Sequence, residues 1–291
     1  MSSFSQLLNK GTALLKESGI EEAGLDAWLL LEYTAKKSRA WYFAHKEEEV
    51  PPWQENLYQD MIHRRGRRIP LQHITGQAFF MGHEFFVNEK VLIPRQDTEL
   101  LAEEALALLS DEETLEILDM CTGSGCILIS LLLEKEKCRG VGADISAGAL
   151  EVARRNGRAL GVLDRIDFLE SDLFSHEWFR EEPRAFDMIV SNPPYIRTGE
   201  IEALMEEVRC HDPRIALDGR EDGLSFYRRI TRDCLSFLKE GGYLLYEIGY
   251  DQGEAVARIM EQEGFAGIQI KKDLAGLDRV VVGYRRKKDV R

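Results

Sequence analysis

From Leu115 onward, short apolar runs alternate with stretches whose apolar residues recur at helical spacing. The runs LEILDM, GVGAD, IDFLE and DMIVS read as strands, because each is short, apolar and bounded by turn-forming residues. GCILISLLLEK and SAGALEVARRNGRAL carry the helical period, the second opened by Ser146, a good N-cap. LSFYRRITRDCLSFL continues as helix, GGYLLYEIG as strand and DQGEAVARIMEQEG as helix, and IQIKK and RVVVGY supply the last two strands. Such alternation predicts an α/β fold with a mostly parallel sheet of seven strands buried between helix layers.

The first seventy residues follow a different pattern. Leu7, Leu8, Leu14 and Leu15 fall at helical spacing, and LDAWLLLEYTA repeats it around Trp28 and Leu31. Gly19, Gly24 and the pair Pro51-Pro52 punctuate these helices. A small helical domain over residues 1–78 is expected, followed by a linker over 79–96 and an α/β domain over 97–291. In HEFFVNEKVLIPR, the runs Phe85–Val87 and Val91–Ile93 flank Asn88-Glu89, which suggests a β-hairpin in the linker.

Composition narrows the function. No run of eighteen apolar residues is present, so no membrane span is expected. The first residues have neither a basic start nor a small-residue cleavage site. The five cysteines form no C-x-x-C pair, which argues against zinc and disulfides and for a reducing cytoplasm. No metal site is expected. Residues 1–80 hold ten Lys/Arg and ten Asp/Glu, so the net charge of −13 lies beyond them. That acidic part would repel a polyanion, and no stable DNA binding is expected. One basic cluster is HRRGRR, His63 to Arg68, read as a solvated helix end or a contact for an acidic protein or RNA.

Ligands of open α/β sheets bind beyond the carboxyl ends of the strands, where strand order reverses. The first strand runs into CTGSG, in which Gly123 and Gly125 permit a tight turn and a ligand laid against bare backbone. The amides at the start of the next helix would face that ligand. Asp144 ends the second strand, placed to accept both hydroxyls of a ribose, and Asp172 ends the third near an adenine position. A pyrophosphate-binding loop wants a third glycine, but Leu128 stands there. S-adenosylmethionine has ribose and adenine without phosphates, and suits the pattern better.

The fourth strand ends in SNPPYI. Two prolines stiffen the loop and push Asn192 out of helical geometry. An NH2 on a planar carbon is a poor nucleophile. The Asn192 side-chain oxygen and the Pro193 carbonyl can accept its two hydrogens, aim its nitrogen at a methyl group and favour the charge it gains. Tyr195 would give a flat wall, and placement would do most of the work without a side-chain general base.

At these residues the chain resembles the protein-(glutamine-N5) methyltransferases of the HemK/PrmC type, which act on peptide chain release factors. The likeness runs through RRGRRIPLQHITGQAFFMGHEFFVNEKVLIPRQDTELL, ILDMCTGSGCI, GADISAGALEVARRN, SDLF, FDMIVSNPPYI, ALDGREDGLSFYRRI and YEIGYDQ. It implies a Rossmann-like S-adenosylmethionine-dependent methyltransferase fold and methyl transfer to the glutamine of a Gly-Gly-Gln tripeptide in class 1 release factors, with S-adenosylhomocysteine as product. By position, it implies a cofactor loop of Cys121, Thr122, Gly123, Ser124 and Gly125, with Asp144 on the ribose and Asp172 and Leu173 near the adenine. Asn192, Pro193, Pro194 and Tyr195 would hold the glutamine amide, and Asn192 would also face the cofactor. The helical domain would contact the release factor, giving the cluster near Arg65 a task. Arg95 and Glu247 match family positions and are read as structural. Cys121 stands where glycine is usual, Gln96 replaces a proline, and HDPRIAL departs from the common tyrosine-glutamate-proline.

Three other readings share parts of the pattern. A ribosomal-protein glutamine methyltransferase would carry every motif. A DNA adenine-N6 methyltransferase would need a flipped base and a basic channel. A non-catalytic cofactor binder would tolerate loss of Asn192.

Overall fold

The computed structural model describes residues 2–111, 113–181 and 185–287; the remainder of the expected 97–291 domain lies outside these. The chain forms two compact units, one comprising the chain to Gln77 with Met205–His211, the other Ala78–Leu204 with Asp212 onward.

The helical unit holds α1 (Phe4–Glu17), α2 (Ala23–Ala35), α3 (Arg39–His45), α4 (Pro52–Gly66) and α5 (Leu71–Thr75). Ser3 and Gln6 close a capping box on α1, satisfying amides that the helix leaves free. Pro52 sits at the first position of α4, where its missing N–H costs nothing. Leu7, Leu15, Trp28, Leu31, Tyr58 and Ile62 form the core. Helices α1 and α4 approach at Gly11, where a β-carbon would collide with the Tyr58 hydroxyl. Gly19, at φ 70°, separates α1 from α2 as expected. Gly24 does not break a helix but lies in the first turn of α2, where few backbone bonds depend on it.

Helix α10 (Glu206–His211) belongs to this helical unit although its neighbours in sequence do not. The cause is Arg65. Its side chain is 7% exposed, its Nε donates to Asp26 at 2.7 Å, and its Nη2 donates to Glu207 at 2.8 Å. Arg68 donates to the carbonyl of Gly19 at 2.8 Å. Arg65 is therefore an internal fastener, while Arg68 ties the end of α4 to Gly19 at the surface. Truncating Arg65 would leave Asp26 and Glu207 uncompensated. Arg65→Ala is expected to cost about 3 kcal/mol of stability, read by urea denaturation; a cost near zero would show that the triad contributes nothing.

A hairpin of β1 (Gln77–Phe80) and β2 (His83–Phe86) opens the second unit. It closes one apolar run earlier than the sequence suggests, because Met81 (φ 50°) and Gly82 (φ 76°) supply the left-handed pair of a tight turn. Around Asn88 the chain turns on a local bond from the Lys90 amide to Oδ1. Val91 and Ile93 then pack against Ala149 and Val152 instead of pairing as a strand.

After α6 (Gln96–Leu108) come β3 (Glu116–Met120), α7 (Cys126–Glu134), β4 (Arg139–Asp144), α8 (Ala147–Ala159), β5 (Ile166–Glu170), the short α9 (Trp178–Glu181) and β6 (Phe186–Ser191). The short α11 (Arg214–Leu217), then α12 (Ser225–Cys234), β7 (Leu238–Glu247), α13 (Gly253–Gln262), β8 (Phe265–Lys272) and β9 (Asp278–Arg285) complete the unit. The sheet order is β5-β4-β3-β6-β7-β9-β8. Pairing is parallel from β5 to β7 and antiparallel at β9 and β8, the seven-stranded, mostly parallel sheet read from the alternation. Strands β3 and β6 are buried along nearly their whole length, while edge strand β8 alternates. Helix α7 is apolar all round and buried from Cys126 through Leu132. Strand order reverses between β3 and β6, so the carboxyl ends of β3, β4, β5 and β6 meet at one edge. Among the described residues, no helix is long and apolar enough to cross a membrane.

Candidate active site

A cleft opens at that edge. Its lining draws on the CTGSG loop, Asp144 and Ser146, Asp172 and Leu173, Asn192 and Pro194, and the segment from Lys90 to Thr98. Cys121, Gly123 and Gly125 all have positive φ, at 64°, 56° and 79°. Cys121 thus takes the backbone geometry that explains why glycine is usual at its position, a strain of about 1–3 kcal/mol for a residue with a side chain. At Gly125 a β-carbon would press on Ile129 and Ala153, so glycine lets α7 and α8 approach. At Gly123 a β-carbon would meet nothing within 4 Å, because the backbone faces the open cleft. Thr122 is buried and donates to Asp119 at 2.6 Å, while its amide bonds Ala143 at 3.0 Å. Asn156 donates to the carbonyls of Ser124 and Phe86, which ties the loop to the hairpin.

Asp144 is held on both oxygens. Oδ2 accepts from the Gly123 amide and Oδ1 from the Ser146 amide, each at 2.9 Å. A carboxylate has about four lone-pair sites, so acceptor capacity stays free for ligand hydroxyls. Burial raises its pKa above the usual carboxylate range, against the lowering effect of those amides. Asp172 lies just past β5, half exposed, and pairs with Arg229 at 2.8 Å. Nothing in the sequence of α12 signalled that partner. Leu173 is buried at φ 54° and completes this wall.

Asn192 follows β6, and its Nδ2 donates to Thr98 Oγ1 at 3.4 Å. Ser191 anchors the strand end by donating to the Met120 carbonyl at 2.6 Å. Within the NPPY corner Asn192 and Pro194 line the cleft, and Pro193 between them is buried. The Tyr195 hydroxyl turns away to Glu247 Oε1 at 3.4 Å, and its carbonyl accepts from Gln252 at 3.0 Å. The expected flat wall is thus a residue that locks the corner from behind. Arg95, read as structural, lines the cleft and pairs with buried Asp212 at 2.7 Å. Phe226 and, from the HDPRIAL segment, Pro213, Ile215 and Ala216 also line the cleft.

The residues fit a nucleoside cofactor without phosphates. Gly123 leaves a bare-backbone cradle, and Asp144 retains acceptors for a diol. Bulky, buried Leu128 stands where a dinucleotide loop has glycine.

Comparison with known proteins agrees with this geometry. Residues 6–76 match the family model of the PrmC N-terminal domain, and residues 96–211 match that of the methyltransferase small domain. The chain is 41% identical to a release factor glutamine methyltransferase of Clostridium acetobutylicum, covering 96% of this chain and 97% of that protein. It is 39% identical to the Caulobacter vibrioides protein of the same name, over 93% and 92% of the two chains. A methyltransferase structure from Pyrococcus furiosus superimposes with a TM-score of 0.51 at 13% identity, covering 71% of this chain and 91% of that one, and attests the fold alone. The chain belongs to the release factor glutamine methyltransferase family.

Proposed function

We propose that this protein transfers a methyl group from S-adenosylmethionine to the side-chain amide nitrogen (N5) of the glutamine in the Gly-Gly-Gln motif of class 1 release factors. The observation that carries this reading is the meeting of Asn192 with Gly123 and Asp144 in one cleft at the point where strand order reverses.

When bound, the cofactor supplies a methyl group activated on a sulfonium. The chain's own residues then hold the cofactor and position the acceptor. The CTGSG backbone cradles the cofactor, Asp144 takes the ribose hydroxyls, and Asp172 with Leu173 borders the adenine. Asn192 Oδ1 and the Pro193 carbonyl accept the two amide hydrogens of the glutamine. These bonds strengthen as the nitrogen becomes positive, which favours the transition state over the bound substrate. Pro193 and Pro194 hold the corner still, and Tyr195 braces it through Glu247. The proton leaves to water afterwards. The helical domain, 1–78, provides the surface for the release factor, and the reaction takes place in the cytoplasm.

Incubation with purified release factors and isotopically labelled cofactor, followed by peptide mass spectrometry, tests the reading. A single labelled methyl on the Gly-Gly-Gln glutamine is expected. Label on a ribosomal-protein glutamine or a DNA adenine, with none on release factors, would overturn it.

A further inference from the structure

The start of α6 brings a charged pair to the cleft that the proposed methyl transfer leaves without a task. Arg95, the N-cap of α6, lines the cleft with its side chain 44% exposed. Its Nη2 donates to Asp212 Oδ2 at 2.7 Å, and the Asp212 side chain is 1% exposed. The other oxygen, Asp212 Oδ1, is buried and has no partner among the described residues. A pair built only to fasten two segments would satisfy both oxygens with the parallel N–H groups of a guanidinium. Here the contact runs through one nitrogen, so most of the guanidinium N–H donors stay available to a ligand.

The reactants indicate what such a cation would meet. S-adenosylmethionine carries a carboxylate at the end of its amino-acid arm, whereas a Gly-Gly-Gln segment within a chain carries none. The arm leaves the same sulfonium as the methyl group, so it begins beside Asn192. Asn192 in turn touches Thr98, in the first turn of α6, at 3.4 Å. The start of α6 therefore belongs to the methyl end of the cleft and not to the ribose end. Other cations lining the cleft are engaged elsewhere. Arg229 pairs with Asp172, on the adenine side, and Lys90 pairs with Glu151. Arg220 belongs to the backbone that follows the NPPY corner, its carbonyl accepting from the Thr198 amide at 3.0 Å. Asp144 and Asp172 make the cleft acidic, so a ligand carboxylate entering it needs a fixed positive partner.

We propose that Arg95 binds the carboxylate of the cofactor's amino-acid arm, and that Asp212 is the positioning residue that holds its guanidinium for that contact. This rests on the reading of the cleft as the S-adenosylmethionine site with its methyl at Asn192. The planar fork of arginine matches a carboxylate. Buried Asp212 keeps the long side chain from swinging into solvent. The cofactor is then held on both sides of its sulfonium, by Asp144 through the ribose and by Arg95 through the carboxylate. Fixing both sides aims the methyl group at the corner.

The test is calorimetric titration of the full-length protein, without acceptor, with S-adenosylmethionine and with its decarboxylated form, which lacks only the carboxylate. Arg95→Ala is expected to weaken S-adenosylmethionine binding about 10- to 100-fold. The decarboxylated ligand should bind as in the parent or more tightly, since a like charge has been removed from its path. Arg95→Lys keeps the charge without the fork and should lose less than about tenfold. Combining Arg95→Ala with Asp212→Asn removes the buried charge that truncation strands, and the same ligand-specific loss should remain. An equal loss for both ligands would make the pair a fastener of the fold and overturn the proposal. So would a loss confined to the KM for the release factor in parallel methylation assays. If the parent binds neither ligand, the cofactor reading itself fails. If the parent binds both and Arg95→Ala changes neither affinity, only this inference does.

Discussion

Asn192→Ala is expected to lower kcat for glutamine methylation about 10³-fold while cofactor affinity stays within about threefold. The size follows from what the side chain does. An amide lone pair is delocalised into its carbonyl, so the nitrogen attacks only as that conjugation is broken and positive charge builds on it. Hydrogen bonds from the NH2 to fixed acceptors grow stronger along that path, so their energy enters kcat and not KM. Asn192 follows buried β6 and is braced by Thr98, so its oxygen needs little reorganisation to meet the charge. Alanine deletes one of the two proposed acceptors and leaves the Pro193 carbonyl, which explains why the loss should not be total. Single-turnover rates with saturating cofactor, read beside calorimetric titration with S-adenosylhomocysteine, separate the two effects. A variant within tenfold of the parent rate would remove the clamp from the mechanism.

The parts of this site that could be read from sequence are those fixed by local geometry. Strands β3, β4 and β6 are buried on both faces, so they appear as continuous apolar runs. Gly123 and Gly125 announce a turn that few other residues can make, and Asp144 stands at a strand end. Each is visible within a dozen residues. What stayed hidden depends on distant partners. Arg65 reaches Glu207 across 142 positions, and no local pattern distinguishes it from the solvated arginines beside it. Thr98 meets Asn192 across 94 positions and is an ordinary first-turn threonine until the fold brings them together. The hairpin falls earlier than the apolar runs suggest, because Met81 takes a left-handed conformation that its side chain does not advertise. At Tyr195 the sequence shows a ring after two prolines but not which way it turns, and the fold turns its hydroxyl to Glu247.

The two strand-end acids looked equivalent in the sequence, and the structure separates them. Asp144→Ala is expected to weaken S-adenosylhomocysteine binding about 10²- to 10³-fold, whereas Asp172→Ala should weaken it about tenfold or less. Asp144 is held by backbone amides and keeps acceptor capacity for a ligand, and each ribose hydroxyl bonded to a charged oxygen is worth about 1.5–3 kcal/mol. Removing it also frees the Gly123 amide, so the cradle loosens along with the loss of the diol contacts. Asp172 is half exposed and already shared with Arg229, and water can replace much of what it offers. The two variants should differ in pH response as well. Burial raises the Asp144 pKa, so on acidification its carboxylate is protonated earlier than an ordinary aspartate. The parent should then lose affinity as pH falls toward that raised value, and Asp144→Ala, already without the carboxylate, should show a flatter profile. Titration calorimetry across this range decides the matter. Equal losses in the two variants would mean that the ribose is not held by Asp144.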